Sequence, residues 1–98
     1  MSATVDLSNP EKRLVRGLQT ISDETRFKMF KLMMSGEELC VSSIAERLNV
    51  SVSAVSQHFR LFEQAGFVNK QRYAQKVCYR LKESDALVEK LIMLAGNR

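Results

Sequence analysis

IAERLNVSVSAVSQHFRLFEQAGFV runs from Ile44 to Val68. A short helical pattern in it ends at Asn49. After a turn, a second helix opens at Ser51 and stops at Gly66. Within the second helix Val55, Phe59 and Phe62 recur at helical spacing and form a core stripe, and Gly66 supplies the left-handed cap. A basic hairpin follows, NKQRYAQKVCYRL from Asn69 to Leu81. Two helices set at a fixed angle and followed by a basic ribbon predict a winged helix-turn-helix, in which one helix enters the major groove of DNA.

The rest of the chain fits around this unit. Ser8, Pro10 and Glu11 mark the start of a first helix reaching about Thr20, and residues 1–8 are expected to fray. Ser22 or Asp23 caps a second helix that ends near Ser35 and Gly36. Its apolar positions Phe27, Met29, Phe30, Leu32, Met33 and Met34 cover more than one face, as in the central helix of a small bundle. Leu39 to Val41 is extended, and Ser42 or Ser43 caps the third helix. The wing strands are expected at Val68–Gln71 and Lys76–Leu81. A last helix starts near Ser84 and Asp85. The order is α-α-β-α-α-β-β-α, a mainly α fold with a β-hairpin wing (α+β), in one domain spanning residues 1–98.

Ninety-eight residues with a net charge of +4 allow a single domain with a thin core. Residues 1–50 are balanced at seven bases and seven acids, so the whole excess lies in the second half. Between Gln57 and Lys82 there are six bases and one acid. That density suits a polyanion, and its coincidence with the helix-turn-helix pattern makes it informative. No run of 18 apolar residues offers a membrane span, and the N-terminus lacks the order of a signal peptide, which predicts a cytoplasmic protein. There is no glycine-rich phosphate loop or paired-carboxylate motif, so an enzyme is not expected. One histidine and two cysteines, without CxxC or HxxxH spacing, argue against a metal site of His and Cys ligands. No cofactor is expected.

The outward face of the fourth helix carries Ser53, Ser56, Gln57 and Arg60, with Ser51 at its amino end. Short hydroxyls, an amide and a guanidinium suit base edges and phosphates. His58 lies to one side, either as a DNA contact or as a brace of the two helices. Arg72, Gln75 and Lys76 at the wing tip suit the adjacent backbone or minor groove and would add salt-dependent affinity. Tyr73 either packs on the sugar-phosphate or pins the hairpin. Leu14 and Leu18 of the first helix, with Leu87, Leu91 and Leu94 of the last, suit pairing with a second copy. A two-fold dimer would set two recognition helices about 34–36 Å apart, matching a palindromic operator. A winged helix used only as a protein-interaction adaptor is the alternative, and the basic wing argues against it.

Three motifs resemble the ArsR/SmtB family of dimeric repressors. SDETRFKMFKLM at Ser22–Met33 is similar to the family's second helix. EELCVSSIAERLNVSVSAVSQHFRLFEQAGFV at Glu37–Val68 is similar to its helix-turn-helix, and QKVCYRL at Gln75–Leu81 to its last wing strand. The resemblance implies a repressor that leaves its operator when an effector binds, with the effector here unknown. Many members bind soft metals through Cys-Val-Cys, where this chain has Cys40-Val41-Ser42. Others use histidine on the last helix, which here offers only Asp85 and Glu89. Cys40 and Cys78 remain, brought close by the usual pairing of the short strand with the last wing strand. They form either a redox-responsive pair or two half-buried, unreactive hydrophobes.

Overall fold

The computed structural model describes residues 5–96. Five helices, α1 (Asn9–Ile21), α2 (Glu24–Met34), α3 (Val41–Leu48), α4 (Val52–Gln64) and α5 (Ala86–Ala95), surround the strands β1 (Leu39–Cys40), β2 (Val68–Tyr73) and β3 (Lys76–Leu81). The element order is the one expected. Of residues 1–8, expected to fray, the first four lie outside the described residues. Val5, Asp6 and Leu7 carry no regular structure, and Ser8 is ordered as the α1 cap.

Local chemistry explains most boundaries. Ser8 and Glu11 close a reciprocal capping box, the Glu11 N–H donating to Ser8 Oγ at 3.2 Å and the Ser8 N–H to Glu11 Oε1 at 2.9 Å. Asp23, Ser51 and Asp85 accept first-turn backbone N–H groups of α2, α4 and α5. Helix α3 departs from expectation. Its N-cap is Cys40, without a side-chain cap bond, so Ser42 and Ser43 lie inside the first turn. The reason is tertiary: Cys40 is held extended by pairing with β3, and the helix begins directly after it.

The sheet is antiparallel in the order β1-β3-β2. The wing is longer than expected because Tyr73 pairs with Lys76 and leaves only Ala74 and Gln75 as the turn. Ala74 takes a positive φ of 57°, a conformation that costs a residue with a Cβ about 1 kcal/mol. The core lies between α2, α4, α5 and the sheet. Met29, Phe30 and Met33 of α2 and Val55, Phe59 and Phe62 of α4 are fully buried, and Phe59 stacks on Tyr79 of β3 with centroids 4.1 Å apart. Stacking of this kind adds about 0.5–1.5 kcal/mol beyond area burial.

Helix α1 sits outside this core. Gly17 is buried because the helix crosses Phe67 there: a Cβ at that position would stand 2.8 Å from Phe67 Cζ. Arg13 ties the crossing together, donating to the carbonyls of Ala65 and Gly66 and pairing with Asp85 at 3.0 Å. Leu14 and Leu18 remain 42–44% exposed. On α5, Leu94 is 79% exposed, Leu87 is half-buried, and Leu91 is only 3% exposed. Leu91, expected on a dimer face, therefore belongs to the core of the single chain, and Met93 takes its place on the open side of α5. No helix among the described residues is long and apolar enough to cross a membrane.

Candidate nucleic-acid interface

Helix α4 is set on α3 by a tight turn. Asn49 takes the left-handed conformation at φ 56°, and the Val50 N–H donates to the Ala45 carbonyl at 3.0 Å. Burial of Ile44 and Ala45 on one side, and of Val55, Phe59 and Phe62 on the other, fixes the rotation of α4. Ser53, Ser56, Gln57 and Arg60 are consequently exposed. Ser51 is exposed as well, but its oxygen accepts the Ala54 N–H at 3.0 Å, so it serves first as the helix cap and keeps its hydroxyl proton to donate.

His58 turns away from this face. Arg26 Nη1 of α2 lies 3.2 Å from His58 Nδ1. A guanidinium only donates, so Nδ1 accepts and the ring proton is assigned to Nε2. Arg26 also donates to the Thr20 carbonyl at 2.6 Å and the Gln19 carbonyl at 3.4 Å, linking the end of α1 through α2 to α4. Burial holds the His58 pKa below its ordinary 6.5, and the Arg26 charge adds to this, with Asp23 pulling the other way. Of the two roles open for His58, its bonding is that of a brace.

The wing projects Arg72, Gln75 and Lys76 as exposed side chains. The Tyr73 hydroxyl donates to Glu38 Oε2 at 3.0 Å and pins β2 to the segment entering β1. That hydrogen bond and the Glu38 charge raise the Tyr73 pKa above its ordinary value.

A cleft of about 510 Å³ lies between α4 and the wing. It brings together four of the expected residues, Ser56 and Arg60 from α4 with Gln75 and Lys76 from the wing. Ser51, Ser53, Gln57 and Arg72 lie on the surrounding surface, outside its lining. Val41, Ser42, Val52, Lys70, Val77, Tyr79 and the acidic Glu63 also line it and were not singled out from sequence as DNA contacts. Lys70 was visible there only as one of the six clustered bases. Arg13 gave no sequence signal, because a guanidinium bonding distant carbonyls reads the same as one in solvent, and Arg26 stood out only as part of the SDETRFKMFKLM motif, which did not reveal its bracing role.

Behind the wing, Cys40 and Cys78 are opposed in the β1–β3 register and joined as a disulfide. The anticipated strand pairing is what brings them together.

Residues 23–70 match the family model described as bacterial regulatory protein, arsR family. The chain is 34% identical over 83 residues to a putative arsenical resistance operon repressor ArsR of Halobacterium salinarum, covering 83% of this chain and 62% of that protein. It is 31% identical over 94 residues to the transcriptional activator HlyU of Vibrio cholerae, covering 91% of this chain and 86% of HlyU. The structure of reduced HlyU superposes with a TM-score of 0.75 at 30% identity, over 87% of this chain and 86% of that one. At the level of fold alone, a homodimeric winged helix-turn-helix domain from Mycobacterium bovis matches with a TM-score of 0.73 at 19% identity, over 96% and 85% of the two chains. The fold, the motif order and these likenesses together make the chain a member of the arsR family of transcriptional regulators, built on a winged helix-turn-helix DNA-binding domain.

Proposed function

We propose that the chain is a homodimeric repressor that binds a palindromic operator in double-stranded DNA and whose occupancy depends on the Cys40–Cys78 pair. The observation that carries this reading is the cleft in which Ser56 and Arg60 of α4 face Gln75 and Lys76 of the wing. Helix α4 enters the major groove, where Gln57 and Arg60 reach base edges. Ser51 and Ser53 at its amino end meet a phosphate, and Arg72, Gln75 and Lys76 follow the flanking backbone.

The dimer rests on Leu14, Leu18 and Leu94, apolar side chains that the single chain leaves open. Its relatives carry both regulatory signs in their names, repressor for ArsR and activator for HlyU. A compact dimer seated on an operator represses by excluding polymerase, and we assign that sign here. Such a regulator works in the cytoplasm, where its DNA is.

The disulfide ties β1, and so the start of α3, to the central strand of the wing. Reduction frees the wing to follow the groove, so the reduced form is the one that binds. That a HlyU structure is described as reduced accords with a thiol-dependent regulator.

Salt separates this reading from a protein-interaction adaptor. Operator affinity should fall steeply between low and moderate salt, with log Kd rising by about 0.9 per phosphate contact for each decade. Fluorescence anisotropy on upstream and scrambled DNA checks this. Equal, salt-insensitive binding to both would overturn the assignment and favour the adaptor.

A further inference from the structure

Reduction of the disulfide exposes more than two thiols. Glu38 lies two residues before Cys40, on the same side of β1. One ligand atom from each of Glu38, Cys40 and Cys78 lies within 4.8 Å of the others. Tyr73 holds Glu38 Oε2 through its hydroxyl at 3.0 Å, which orients the carboxylate and leaves its other oxygen for a second partner. We infer that the reduced protein binds one borderline-soft divalent cation, with zinc as its representative, between Cys40 Sγ, Cys78 Sγ and a Glu38 oxygen. This rests on the reading of the two cysteines as a reducible pair.

The dimensions suit the ion. Zinc bonds to sulfur at about 2.3 Å, which sets two thiolates about 3.8 Å apart in a tetrahedron, and to carboxylate oxygen at about 2.0–2.2 Å. Cys40 and Cys78 stand directly opposite one another with Cα atoms 3.8 Å apart, so on reduction their sulfurs need only separate to that distance. Two thiolates favour zinc or cadmium over magnesium or calcium. Glu38 also lines a cleft of about 550 Å³ together with Gln71, Tyr73 and Arg80. Two thiolates and a carboxylate leave one negative charge over a divalent ion, and the cationic Arg80 lines the same cleft as Glu38. The second sulfur comes from a strand 38 residues further along the chain, and the expected strand pairing, rather than the Cys-Val-Ser pattern leading into α3, is what pointed to it.

A dithiol reductant passes two electrons and two protons to the disulfide and itself becomes a disulfide. Each freed thiol then gives its proton to solvent as its sulfur bonds the cation. The disulfide has no thiolates to offer, so the oxidised protein cannot bind the ion there. Disulfide and cation join the same two atoms, and each ties β1 to β3. One device thus answers both an oxidant and a soft metal.

The test uses the full, reduced chain, freed of excess reductant and titrated with cadmium as the probe, with no DNA present. One cadmium per chain should bind and give thiolate-to-metal charge-transfer absorption for two sulfurs, and zinc in large excess should compete for the same site. The oxidised chain should give none. Cys78→Ser and, separately, Cys40→Ser should each remove half the band. Glu38→Gln should keep the band and weaken binding by about 10-fold. Circular dichroism verifies the fold of each variant. A reduced chain without the band, or a band that Cys78→Ser leaves intact, would overturn the site. Thiol counts before and after oxidation, and operator binding in separate samples, report on the reducible pair and on DNA recognition, so failure of either differs from failure of the metal site.

Discussion

Arg60 and Gln57 stand on the exposed side of a helix whose rotation is fixed by three fully buried residues, Val55, Phe59 and Phe62. Removing either outward side chain leaves that packing untouched. Arg60→Ala and Gln57→Ala should each cost about 1–3 kcal/mol of operator affinity and relax sequence choice, with unchanged thermal unfolding. Affinity equal to wild type in both would sink the recognition face. His58 makes a different prediction. Because burial lowers its pKa, the folded chain binds fewer protons than the unfolded chain as pH falls past 6.5. The stability that neutral His58 gives is present above 6.5 and is lost as pH falls through its lowered folded value. Asp23, whose pKa is lowered from 3.8 chiefly by the Arg26 backbone N–H, acts in a more acid window and does not interfere. Urea midpoints between about pH 5 and 8 should fall on the acid side for wild type and stay flatter for His58→Gln. Parallel curves would show that the Arg26–His58 contact carries no pH dependence. At this scale the sequence was legible where a side chain faces outward, since helical spacing decides that. It was not legible where function depends on a distant partner, as for Arg26, which reaches Thr20, Gln19 and His58 at once.

The wing and α1 are the elements whose behaviour the contacts settle. Arg72 and Lys76 are exposed on a hairpin, free to follow a phosphate backbone. Arg72→Ala or Lys76→Ala should weaken upstream and scrambled DNA alike and reduce the salt slope by about one unit, read by anisotropy at several salt concentrations. A loss confined to upstream DNA would place them among base-reading residues instead. In α1, Gly17→Leu must displace the ring of Phe67 or the side chain of Leu87, and overpacking of that kind costs about 1–3 kcal/mol. Thermal unfolding should show the drop, whereas an unchanged midpoint would mean that α1 lifts away without cost. The elements themselves could be read from caps and periodicity because Ser8, Asp23, Ser51 and Asp85 act locally. Two boundaries could not. The start of α3 is fixed by strand pairing at Cys40, and the wing reaches Tyr73 through a two-residue turn at Ala74 and Gln75, whose side chains give no turn signal.

The whole molecule is more extended than its length requires. Its radius of gyration is 14.6 Å, against about 13 Å for a compact chain of this size, and its long dimension is 51 Å. The apolar side chains of α1 and the end of α5 remain on the outside, and the proposed second copy is what would cover them. Leu14→Glu and Leu18→Glu should yield a folded monomer by light scattering and circular dichroism. Leu91→Glu should instead unfold the chain, because it puts a charge into the core at a cost on the order of several kcal/mol. A folded monomer from Leu91→Glu, or a dimer surviving both α1 changes, would contradict this division. The amphipathic faces were visible in the sequence, but which of their residues close the monomer core was not, since that depends on how α1 crosses Phe67. The most direct test is anisotropy of the protein on its own upstream DNA, fully reduced, then mildly oxidised, then reduced again, with scrambled DNA beside it. Upstream-specific binding should fall on oxidation and return with reductant, a cycle that Cys78→Ser abolishes. Binding that does not distinguish upstream from scrambled DNA, or that ignores the state of Cys40 and Cys78, would rule out a thiol-dependent regulator.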